Sequence, residues 1–203
     1  APGTESLGKA ATALNPQGIE LCAVNGLRSS SEESRTRGNF AVKGANGRAI
    51  VNADASFNLT AMLEAARKDG VVIDLVTSSY RTNDHQQQLC TDSPEKCKKG
   101  LIAKPGKSDH NHEDAYAFDF NLGISNLSSI CKKIGNVCTM PNIQGANIKA
   151  YNWLIKNAHS YGAFNLSTEF WHFSFFKNNP TYLNSPIWLK NHDGQPWTYT
   201  IPE

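Results

Sequence analysis

The run Ser167-Thr168-Glu169-Phe170-Trp171-His172-Phe173 places a carboxylate and an imidazole three positions apart at the edge of an aromatic strand. Period-2 alternation over Phe170 to Phe176 predicts a strand with His172 and Ser174 on one face, Phe173 and Phe175 on the other. Upstream, Ser108-Asp109-His110-Asn111-His112-Glu113-Asp114-Ala115-Tyr116-Ala117-Phe118-Asp119-Phe120 supplies a second aromatic strand. Its Ala117 and Asp119 share the face opposite Phe118 and Phe120. If the two strands are neighbours, Asp119 and His172 emerge on one side of a sheet, and a histidine from the loop before Asp119 can fold over them.

Two neutral imidazoles and one carboxylate are a zinc ligand set that leaves the fourth position open, the catalytic rather than the closed structural arrangement. An open position lowers the pKa of a bound water towards neutrality. Glu169 is then placed to take the proton from that water and pass it to a leaving amine. Taken singly, each residue also has a plain structural reading: a histidine packed among aromatics, a solvated strand-edge carboxylate, an aspartate in a turn. His110, His112, His159 and His192 cannot all be ligands.

Working outward, Leu59, Met62, Leu63 and Ala66 form a helical stripe that Asp69-Gly70 ends, and Val71 to Thr77 reads as a buried strand. Ser78 to Thr82 is a turn, with Asn83 able to cap a short helix carrying His85, Gln86 and Leu89. Residues 90 to 110 are loop by composition, and the loop from Cys90 to Lys107 is expected to border the cleft. Helices are expected near Ser125 to Ile134 and over Ile148 to Tyr161, with Gly162 as the stop of the second. The first fifty or so residues show no sustained period and read as an arm with a short helix near Gly18 to Val24. The tail from Lys177 reads as irregular. The expected organisation is one domain over 1–203, with an arm at 1–54, a core at 55–176 and a tail at 177–203. Its class is α+β, a small antiparallel sheet carrying the zinc site and flanked by helices.

With 203 residues, 39% hydrophobic and 19% charged, the chain is long enough for one well-buried core. A net charge of +2 gives no footprint for nucleic acid, and no stretch approaches the roughly eighteen apolar residues of a membrane span. Five cysteines include two equally spaced pairs, Cys90 with Cys97 and Cys131 with Cys138. Local disulfides would place the protein in an oxidising compartment, with Cys22 left over. The Ala-Pro-Gly start is expected of a mature secreted product.

The three motifs together resemble the zinc D-alanyl-D-alanine carboxypeptidase/endopeptidase family of VanY type, which shares its fold with lysostaphin-like peptidases and the hedgehog signalling domain. That family reads S-x-Y-R-x4-Q, then S-x-H-x2-G-x-A-x-D, then E-x-W-H. Here the first is Ser78-Ser79-Tyr80-Arg81 with Gln86, the second is His112 to Asp119 with Ala117, and the third is Glu169-Phe170-Trp171-His172. The resemblance implies Zn²⁺ on His112, Asp119 and His172, with Glu169 as catalytic base. Arg81 would bind substrate or the developing oxyanion, in a pocket drawing on Ser79, Tyr80, Gln86, Ser108, His110 and Trp171. Two departures stand out. Ala115 replaces the family's Gly, and His110 stands where its Ser would be. His112 keeps the family's spacing to Asp119, and this register is favoured. A rival register takes His110, two after Ser108, with two residues inserted before Asp119. The implied protein is a secreted or periplasmic monomer acting on a peptidoglycan stem peptide or its precursor, with no nucleic acid partner and no membrane span. Carboxypeptidase action on D-Ala-D-Ala comes first, endopeptidase cleavage second, and a non-catalytic hedgehog-like module is the alternative of another class.

Overall fold

The computed structural model describes residues 3–10, 18–111, 116–121, 132–139 and 148–200. The class is α+β, as expected, and the chain forms two compact units, Ala1–Thr60 with Asp74–Phe118, and Ala61–Ile73 with Asp119–Glu203.

In the first unit, strand β2 (Ile19–Ser29) pairs antiparallel with β1 (Thr4–Ala10) and β3 (Arg48–Asn52), and parallel with β4 (Leu75–Ser78). The sheet is therefore mixed, not purely antiparallel as the sequence suggested. The expected helix near Gly18 to Val24 is part of β2, and the supposed arm carries three strands. The reason is burial on both faces. Leu21, Cys22, Ala23 and Val24 are consecutively buried, so β2 lacks the alternation that marks a half-exposed strand. Ile19, Leu21, Ala45, Ile50 and Tyr80 form one apolar cluster of this unit.

Helix α1 (Ala53–Lys68) opens where Asn52 Oδ1 accepts the Asp54 N–H at 3.0 Å. It closes on Gly70 at φ +72°, with the Val71 N–H reaching back to Ala66 and that of Gly70 to Arg67, the paired bonds of a Schellman stop. The strand that follows begins at Leu75, four residues later than Val71. Helix α2 (Asn83–Asp92) is capped by Thr82 rather than Asn83, the Thr82 hydroxyl accepting the His85 N–H at 3.2 Å. The stretch expected to be loop contains α3 (Pro94–Lys98), started by Pro94 at its first turn. The Cys90–Cys97 disulfide links α2 to α3, and Cys22 is free and buried. Cys131, and with it the second expected pair, lies outside the described residues.

Strand β5 (Ala117–Phe120) leads the chain into the second unit. There β8 (Ala163–Leu166) pairs antiparallel with both β9 (His172–Phe175) and β10 (Tyr182–Leu183). Helix α4 (Ile148–Asn157) buries Tyr151, Trp153, Leu154 and Ile155, and Trp153 Nε1 donates to Asp69 Oδ2 at 2.8 Å. A 3₁₀ turn over Ala158–Tyr161 continues it to Gly162, which takes φ +78°. The helix expected near Ser125 to Ile134 falls partly outside the described residues, and its end forms β6 (Lys132–Ile134), paired with β7 (Val137–Thr139).

The tail is more ordered than its composition suggested. Ser185 caps α5 (Pro186–Asn191), and β11 (Thr198–Thr200) pairs parallel with β7. Asn184 fixes the approach to β11, its side chain exchanging two hydrogen bonds with the Trp197 backbone. These elements are too short for periodicity to declare them. Among the described residues no helix is long and apolar enough to cross a membrane.

Candidate metal centre and active site

The first motif is built around Arg81. Ser79 is buried, its hydroxyl accepting the Ile50 N–H at 3.0 Å, while the Tyr80 N–H donates to the Ile50 carbonyl at 2.9 Å. Both residues pin the turn after β4 to β3, and the Tyr80 ring sits in the apolar cluster. Burial, followed by the negative charges of Glu33 and Asp84, pushes the Tyr80 hydroxyl up to about 12. The Arg81 guanidinium donates to Gln86 Oε1 at 2.9 Å and to Ser78 Oγ at 3.2 Å. Gln86 is itself buried and donates to the Ala103 carbonyl at 2.6 Å. A fully engaged amide thus fixes the plane of the guanidinium, which explains the spacing from Arg81 to Gln86. The loop following α3 enters the site framework at Ala103.

The second motif centres on His110. Ser108 Oγ accepts the His110 N–H at 3.3 Å, and the His110 carbonyl accepts the Arg81 N–H at 2.6 Å. His110 Nδ1 lies 2.8 Å from the Ser79 carbonyl. A carbonyl can only accept, so Nδ1 is the donor here and Nε2 is the ring nitrogen that could ligate a metal. This is the arrangement by which an outer hydrogen bond orients a metal-binding imidazole. Ser108 and His110, read from sequence as pocket residues, are both buried here. His112 lies outside the described residues.

The third motif lies on the turn into β9. The Phe120 N–H donates to the Trp171 carbonyl at 2.8 Å, aligning β5 with this turn. Asn165 Nδ2 reaches the carbonyls of Glu169, Phe170 and His172, at 3.4, 3.0 and 2.9 Å. The three motifs do not single out Asn165, because its work is done across the hairpin from β8. His172 Nδ1 stands 3.0 Å from Asp119 Oδ1 and 3.9 Å from Glu169 Oε2. The Tyr182 hydroxyl is 3.4 Å from His172 Nε2, a second partner that sequence reading missed. Glu169 keeps 41% of its side chain exposed, whereas Asp119 keeps 14% and His172 6%. The two inner groups are therefore shielded and the outer carboxylate reaches solvent.

His110 of the first unit, and Asp119 with His172 of the second, are the residues that could hold a metal ion. Zinc bonds of about 2 Å in tetrahedral geometry set two ligand atoms roughly 3.4 Å apart. The Asp119–His172 separation fits two groups sharing one ion, and the donor set of two imidazoles and a carboxylate fits zinc.

The family model for VanY, D-alanyl-D-alanine carboxypeptidase, matches residues 48–178. The chain belongs to this family. The resemblance carried by the three motifs is thereby borne out. No curated protein sequence matches significantly. Among solved structures, the chain is similar to a glutamate-to-alanine mutant of the vancomycin-resistance D,D-pentapeptidase VanY from a VanB-type cassette, in complex with Zn(II). The two are 23% identical over 64% of this chain and 74% of the other, with a TM-score of 0.41. VanYB in complex with D-alanine-D-alanine is 22% identical over 64% and 73%, with a TM-score of 0.41. The LD-carboxypeptidase LdcB is 19% identical over 74% and 80%, with a TM-score of 0.41.

Proposed function

We propose that the protein is a zinc carboxypeptidase that removes the terminal D-alanine from D-Ala-D-Ala stem peptides of peptidoglycan or its precursors. One observation carries this reading: a zinc-type donor set, His110, Asp119 and His172, beside the solvent-reaching Glu169 in a chain of this family. Membership of a family does not by itself fix an activity, so the weight rests on the groups present.

The first imidazole of the set is assigned to His110. Its ring is oriented by the Ser79 carbonyl and its backbone by Ser108, which supports the register in which two residues are inserted before Asp119. Zinc, when bound, supplies Lewis acidity, polarising the scissile carbonyl and lowering the pKa of water. Asp119 on β5 and His172 on β9 would hold it, and the Tyr182 hydroxyl steadies the His172 ring at Nε2. Glu169 removes the proton of the attacking water and delivers it to the departing amine of D-alanine. Arg81, fixed by Gln86 and Ser78, presents N–H donors to the terminal carboxylate or to the oxyanion that forms on attack. Trp171, only partly buried beside Glu169, offers an apolar wall to the peptide. A stem peptide is met outside the cytoplasm, and the Cys90–Cys97 disulfide suits an oxidising compartment.

The test is mass spectrometry of wall fragments after incubation with the protein, with and without a chelator. Chelator-sensitive loss of a single alanine from a pentapeptide stem is expected. Cleavage of cross-linked fragments with the pentapeptide terminus intact would make the enzyme an endopeptidase. Binding without any cleavage would overturn the enzymatic reading in favour of a hedgehog-like module.

A further inference from the structure

The segment before the family match contains one carboxylate in an unusual position. Glu33 is fully buried, with 0% exposure. Its Oε1 accepts the Thr82 N–H at 3.0 Å and lies 2.7 Å from His85 Nδ1. Its Oε2 is buried with no hydrogen-bond partner among the described residues. The Phe40 ring stacks on His85, with centroids 4.6 Å apart and planes within 7°. The Glu33 carbonyl accepts the Val42 N–H at 2.8 Å, which closes the loop that carries Phe40 back onto the same spot.

A carboxylate withdrawn from water is costly unless it is paired. This one is aimed at two residues, Thr82 and His85, that lie within the stretch from Arg81 to Gln86. Thr82 follows Arg81, and His85 precedes Gln86, the residue that holds the Arg81 guanidinium. Burial and the Glu33 charge both raise the neighbouring Tyr80 hydroxyl, which places that charge within reach of this turn.

We infer that Glu33, with His85 and the Phe40 ring stacked on it, is a positioning residue. It braces the Arg81–Gln86 turn from a segment outside the matched family region, which begins at residue 48. Its consequence for catalysis rests on the reading of Arg81 given above, while the bracing itself does not.

Two measurements on the full chain test it. The first is side-chain ¹⁵N relaxation of the Arg81 guanidinium, comparing wild type with Glu33→Ala and Glu33→Gln. Wild type is expected to be rigid and Glu33→Ala mobile. Glu33→Gln, which keeps an acceptor for the Thr82 N–H, should fall between them. Should Glu33→Ala fail to fold, His85→Gln, which alters one of the two contacts, carries the same comparison. The second is steady-state kinetics on a stem pentapeptide ending in D-Ala-D-Ala. There Glu33→Ala should lower kcat/KM about ten- to a hundredfold, chiefly through KM, with zinc content unchanged. An Arg81 guanidinium as rigid in Glu33→Ala as in wild type overturns the inference. An inactive wild type in which Glu33→Ala still loosens Arg81 would support the brace and sink the peptidase reading. An active wild type with an unmoved Arg81 would do the reverse.

Discussion

Glu169 and Asp119 show how two carboxylates near one imidazole come to differ in exposure and distance. Asp119 is shielded and meets His172 Nδ1 at 3.0 Å, while Glu169 stands off at 3.9 Å with its side chain 41% exposed. The account therefore expects Glu169→Ala to keep its metal and lose turnover by about 10²–10⁴-fold, the range of a positioned general base. Zinc content and kcat measured on the same preparation check this, and unchanged kcat would contradict it. Gln86→Leu strips both the Arg81 guanidinium and the Ala103 carbonyl of a partner. A rise in KM exceeding any fall in kcat is expected, with a lowered Tm because a buried acceptor is left unsatisfied. Arg81, Gln86, Asp119, Glu169 and His172 were legible as candidates because their motifs are local and ordered. Asn165, Tyr182 and Glu33 were not, since each acts across strands or loops on a residue far away in sequence. Spacing favours His112 as the first ligand, whereas the Ser79 carbonyl orients the His110 ring, a contact that no linear pattern reveals.

Among the elements, the helices with clear stripes and stops were readable. α1 ends on its Gly70 motif and α4 runs on to Gly162, as the pattern implied. β2 was misread because burial on both faces erases alternation, and α3, α5 and β11 were missed because each is six residues or fewer. The Cys90–Cys97 link was legible from its spacing, although α3 itself was not. The sequence separation of 7 closes a small loop, for which chain entropy gives about 2.5 kcal/mol at most. Reduction, or a Cys90→Ser and Cys97→Ser double variant, is expected to lower Tm by about 5–10 °C. Calorimetry with and without reductant checks it. An unchanged Tm would mean that α2 and α3 are held by packing alone.

At the scale of the whole molecule, stability should weaken on the acid side partly through His159. Burial holds its imidazole below the ordinary value of 6.5, so the folded state favours the neutral ring. The unfolded chain then takes up the proton first as pH falls. The contribution is present above 6.5 and is lost as pH drops towards the lowered folded value. Denaturation midpoints taken about one unit above and below 6.5 should differ more in wild type than in His159→Asn. Equal differences would remove His159 from the explanation.

Everything proposed for the site depends on His110, Asp119 and His172 together binding one zinc ion. Elemental analysis of the purified chain tests it most directly, comparing wild type with His110→Ala and His112→Ala after equilibration with limiting zinc. One equivalent is expected in wild type and in His112→Ala, and little or none in His110→Ala. Full zinc in His110→Ala, or its loss in His112→Ala alone, would contradict it.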